Sequence, residues 1–78
     1  MTVDEKVTVG MVDNIPKYIA WNGKSYLIAQ IGFHHTCREG RVLYHVFSVT
    51  AKALFFRLSL NTETLHWRLQ EISDGLPD

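Results

Sequence analysis

An all-β domain, a small antiparallel meander of five or six strands curled into an SH3-like barrel, is the fold this sequence predicts. Three observations point to it. From Lys17 to Ile72 the chain is a series of β-branched and aromatic runs, cut by turn signals about every 8 to 12 residues. The last two runs alternate apolar and polar residues, as a half-buried strand requires. No helical period appears anywhere, so one apolar sheet face can be covered only by the sheet itself. Regular turns, with no helix between the middle strands, favour the SH3-like closure over an OB-fold.

The opening element is a hairpin. Asn22-Gly23 separates Tyr18-Ile19-Ala20-Trp21 from Lys24-Ser25-Tyr26-Leu27-Ile28, and both turn residues accept the positive φ of a type I′ turn. The second run continues from Tyr26 to His35, with Gly32 placed for a bulge or corner. Thr36-Cys37-Arg38-Glu39-Gly40 connects it to a strand from Arg41 to Val49, and Thr50-Ala51-Lys52-Ala53 must then reverse the chain although it lacks Gly, Asn or Pro. Leu54 to Leu60 and Leu65 to Ile72 flank Asn61-Thr62-Glu63-Thr64. A four-residue loop there pairs Leu60 with Leu65, Leu58 with Trp67 and Phe56 with Leu69, every inward pair apolar. Val7 to Val12 is a candidate sixth strand, which Asp13-Asn14-Ile15-Pro16 separates from the rest. One domain is expected, with its core at 17–72, residues 1–16 partly ordered and 73–78 a frayed tail.

Composition limits what this domain can do. Its 78 residues, 46% apolar, suffice for one compact core, and eight Lys plus Arg balance eight Asp plus Glu. No global field draws the chain onto nucleic acid or an anionic membrane, so anion binding must be local. A single Cys37 forms no internal disulfide, which suits a reducing, cytoplasmic setting. The N-terminal MTVDEKVTVG is too polar for a signal peptide, and no run is long and apolar enough for a membrane span.

Candidate binding residues lie on the outward face of the last two strands. With Leu58 and Trp67 inward, Phe55 and Arg57 stand beside His66 and Arg68, and Arg57 falls directly opposite Arg68. Two guanidinium groups and a ring suit a phosphate backbone with a stacked base, or an acidic partner segment. The blander alternative is that the arginines are solvated or paired with Glu71 or Glu63. Trp21, beside the first turn, is core or sits at the barrel mouth, as aromatics do in peptide-binding SH3-like grooves. His34 and His45 are diagonal neighbours that share a face, but no spacing specifies a structural zinc site, and neither a metal nor a cofactor is expected. Cys37 with a nearby histidine is the one nucleophile–base pairing available; no catalytic residues are assigned.

Trp21, Gly23 and Tyr26 form a W-x-G-x-x-Y opening hairpin, and Trp67 and Leu69 a closing W-x-L. In these, the chain from Lys17 to Ile72 resembles a family of small bacterial β domains of unknown function. It departs from that family in lacking a glycine at Thr50 to Ala53. Some members accompany lesion-tolerant DNA polymerases, so the resemblance implies a faint link to DNA metabolism. The expectation is a non-enzymatic interaction module that holds a partner protein or single-stranded nucleic acid around Phe55, Arg57, His66, Arg68 and Trp21. A structural accessory domain is the alternative, and exposed strand edges leave a homodimer open.

Overall fold

The computed structural model describes residues 2–74. Seven strands, β1 (Thr2–Val12), β2 (Ile15–Trp21), β3 (Lys24–Leu27), β4 (Gln30–Glu39), β5 (Val42–Ala51), β6 (Leu54–Asn61) and β7 (Trp67–Asp74), make up one antiparallel sheet. Its neighbours run β3-β2-β1-β7-β6-β5-β4, so consecutive strands pair except β3 with β4, and β7 returns to β1. Only β3 and β4, consecutive in the chain, lie at opposite edges. The sheet curls into a half-barrel. At the point where the edges approach each other, Ile28 N–H donates to Lys17 O of β2 (2.9 Å) and Ala29 N–H to Thr50 O of β5 (2.8 Å). Among the described residues no helix is long and apolar enough to cross a membrane.

Seven strands replace the expected five or six for two physical reasons. Asp13 and Asn14 do not break the N-terminal run from the rest. Both adopt positive φ (52° and 65°), which closes a two-residue hairpin and makes β1 a strand of 11 residues. Residues at its start pair with β7 and those at its end with β2, so β1 serves both halves of the curled sheet. The long second run also divides, because at Ile28-Ala29 its backbone exchanges one neighbour for another and leaves the ladder for two residues. Gly32 is the expected irregularity: the β4–β5 register shifts between Ile31 and Phe33.

The last hairpin differs from expectation in register. Leu65 takes a left-handed φ of 60° and leaves the strand, so the loop spans Asn61 to His66 and Leu60 faces Trp67. That is a shift of two residues, which preserves the faces: Trp67 stays inward, at 8% exposure. A second irregularity, between Arg57 and Leu58, leaves Arg57 opposite Glu71 and Ser59 opposite Arg68. The two arginines do not face each other.

Ile19, Val49, Phe56, Leu58 and Leu69 are fully enclosed within the curl. Burying such a side chain contributes about 1.5–3 kcal/mol relative to leaving it in water. Tyr26 of β3 meets Phe56 of β6 edge-on, with ring centres 5.2 Å apart, and Phe47 meets Trp67 at 5.6 Å. Aromatic contacts thus join strands that share no ladder.

Candidate interaction surface

Three surface depressions involve the residues singled out in the sequence. The outer face of the sheet carries one of about 600 Å3, lined by Arg57 and Arg68 together with Asp4, Glu39 and Glu71. Arg68 Nε donates to Asp4 Oδ1 at 2.7 Å, and its Nη2 to the Asp4 carbonyl at 3.0 Å. Arg57 Nη2 lies 3.6 Å from Glu71 Oε1. Both ion pairs are largely exposed, so each contributes at most about 1 kcal/mol to stability. They matter more for charge: three carboxylates surround two guanidinium groups in this depression, which leaves it no cationic surplus to offer a phosphate. Beneath them Val46 and Ser59 are buried at 5% and 3%, so part of this face is floor and not solvated surface.

A second groove, of about 500 Å3, runs between β1, the end of β2 and the approach to β7, lined by Val7, Val9, Trp21, Leu65, His66 and Trp67 among others. The strand order explains the meeting: β1 lies between β2 and β7, so the β2–β3 turn and the 61–66 loop reach the same side of it. His66 also joins Arg68 in a smaller depression of about 240 Å3. The structure therefore brings Trp21 together with His66, and Arg57 with Arg68. Phe55 lines none of these three; it is half-buried on β6, across from Thr50 and Ser73.

Local hydrogen bonding builds the 61–66 loop. The Asn61 side-chain oxygen accepts from Glu63 N–H (2.9 Å) and Thr64 N–H (3.1 Å), an Asx arrangement. Asn61 O accepts from Leu65 N–H at 2.7 Å, and Thr62 fastens the loop to the Leu43 carbonyl through its hydroxyl at 2.8 Å. This frame holds Leu65 70% exposed with its φ positive. Trp21 is half-buried, its ring 6.5 Å from that of Tyr26, and its indole N–H is buried without a hydrogen-bond partner among the described residues. Leaving such a donor unpaired costs about 1–3 kcal/mol.

Sequence reasoning missed Leu65 and the contribution of β1. Leu65 read as the first inward residue of a strand, and nothing in local alternation distinguishes that from an apolar residue displayed by a loop. The combination Asn-x-x-Thr ahead of it is the signal that was available, since Asn61 favours a turn that holds on to its own backbone. Cys37 is exposed across from Tyr44, and both line the depression that holds Arg57 and Arg68. His34 and His45 share a face as expected and are 2.8 Å apart, Nε2 to Nδ1. Among the described residues no group of three or more histidine, cysteine or acidic side chains is placed to hold a metal. Compared with known families, with curated proteins and with solved structures, the chain matches none.

Proposed function

We propose that this chain is a non-enzymatic interaction module that accepts an extended segment of a partner protein in the groove between Trp21 and the 61–66 loop. Leu65 is the observation that carries it. An L-residue in the left-handed region costs about 1–2 kcal/mol, and Asn or Gly would meet the same geometry more easily. A large apolar side chain held there, 70% exposed, gains nothing from water and is suited to anchoring a partner. Indole rings on the groove walls add the side chains that most often dominate protein contacts.

In the depression that Arg57 and Arg68 line, charge argues against the nucleic-acid version of this reading. Arg57 and Arg68 are each engaged by a carboxylate, which lowers their value to a phosphate. On the same footing we infer an SH3-like closure, kinship with the small bacterial β domains and a cytoplasmic setting, on the support of the aromatic hairpin motifs and the lone reduced cysteine.

The test is selection of displayed random peptides on the whole chain, followed by chemical-shift mapping. Selected peptides should shift the Trp21 indole and the amides of Leu65 and His66, and Leu65→Asp should weaken them about tenfold or more, the loss expected for a central apolar anchor. Failure to select any peptide, or shifts confined to the Arg57 face, would overturn the proposal. Single-stranded oligonucleotide binding that weakens linearly with log salt would instead establish the nucleic-acid version.

A further inference from the structure

We infer that β4 is an association edge, along which a second copy of this chain adds its own β4 in antiparallel orientation to join two sheets into one. The sheet ends on two edge strands, β3 and β4, and they differ. β3 has four residues and opens on Lys24, the short and charged form that resists edge-to-edge pairing. β4 has ten, is exposed from Gly32 to Glu39, contains no proline and carries formal charge only on its last two residues, Arg38 and Glu39. The two-residue turn Gly40-Arg41 makes Glu39 and Val42 a hydrogen-bonded pair, so His34, Thr36 and Arg38 direct their backbone N–H and C=O groups away from β5. Among the described residues these groups meet no other strand.

A row of free backbone groups selects an extended strand as its occupant. Charge, order and register make that strand a second copy. Eight cations balance eight anions, so two copies approach without net repulsion. β4 is already held extended on β5, so its copy brings none of the ordering cost of a disordered segment. β4 is regular from Phe33 to Glu39, and Thr36 is the middle of that stretch. With a two-fold axis at Thr36, all three outward residues meet outward residues of the copy: His34 faces Arg38, Thr36 faces Thr36 and Arg38 faces His34. Glu39 then faces Phe33, so no two formal charges are opposed. A contact this short buries less than the about 800 Å2 per partner of a standard interface, which sets a weak dimer with a dissociation constant of about 10 µM to 1 mM.

The experiment follows the full chain, with a reductant present, by sedimentation and amide spectra from about 10 µM to about 1 mM. Association should rise with concentration, with shifts centred on His34, Thr36 and Arg38. Isotope-filtered spectra of mixed labelled and unlabelled chain should connect His35 of one copy with Cys37 of the other. Thr36→Lys sets like charges opposite each other, and Arg38→Pro removes an outward N–H without touching a bond to β5; each should weaken association about tenfold or more. Leu65→Asp, which removes the anchor of the groove, should leave association unchanged. The isotope-filtered contacts are read on the unaltered chain and do not depend on any variant's folding. A single monomeric species up to about 1 mM, shifts centred on Trp21 and Leu65, or indifference to both β4 substitutions would each overturn the inference.

Discussion

Ala53 and Leu65 hold their backbones in the left-handed region at φ of 63° and 60°, where a Cβ is crowded by the neighbouring carbonyl. For Ala53, in the Lys52-Ala53 turn, no exposed contact repays this. Ala53→Gly should therefore raise stability by about 0.5–1 kcal/mol, the strain relieved less glycine's extra chain entropy, read as a shift in urea midpoint at constant slope. Leu65→Asn should stabilise by about as much, since Asn tolerates this conformation, yet abolish selected-peptide binding. Stability gained together with function lost is the signature of a residue kept for contact. Asn22-Gly23 was legible in the sequence because both residue types prefer the turn they make. Lys52-Ala53 makes a turn of the same length with residues that do not, and only the pairing of β5 with β6 forces it.

At the scale of elements, alternation placed Phe56, Leu58, Trp67 and Leu69 inward, as observed, but Leu65 with them, and set the register two residues away near the loop and three beyond the irregularity at Arg57, where Phe56 faces Ile72 and not Leu69. Parity cannot distinguish registers that differ by an even number, because each keeps the same residues inside. The loop decides instead, and its length follows from the Asn61 hydrogen bonds. Asn61→Ala removes the acceptor for two backbone N–H groups and should cost about 1–2 kcal/mol in thermal or urea melts. The same register explains why Arg57 and Arg68 are not adjacent like charges: each has a carboxylate across from it or beside it. Arg57→Ala and Arg68→Ala should each change stability by no more than about 1 kcal/mol, with the effect shrinking as salt is added. Had the arginines repelled each other, either substitution would stabilise. Of the candidate site, Trp21 was visible as a ring beside a turn and His66 as an outward residue of the last strand, next to Arg68. Their meeting was not, because β1 brings them together from a distant part of the chain.

For the whole molecule, the half-barrel depends on one continuous segment passing from its first edge to its last at Ile28-Ala29. The sequence shows that segment as one long run, since β-rich residues lie on both sides of the division and no Gly or Pro marks it. What closes the curl is apolar contact between strands without a shared ladder, chiefly Tyr26 on Phe56. Phe56→Ala should cost about 3–5 kcal/mol. A chain of this size has only about 4–12 kcal/mol of total stability, so the substitution should remove about a quarter of it or more, read as a lowered urea midpoint. Conversely, the all-β class was legible because the absence of any helical period leaves a sheet no other cover.

Register in the last hairpin governs both the exposure of Leu65 and the separation of the two arginines. Cross-strand nuclear Overhauser effects measure it directly. Backbone contacts of Ser59 with Arg68 and of Leu60 with Trp67 are expected, with Leu65 making none to β6 beyond Asn61. Contacts of Leu58 with Trp67 and of Arg57 with Arg68 would contradict it, returning Leu65 to the strand and removing the groove's anchor.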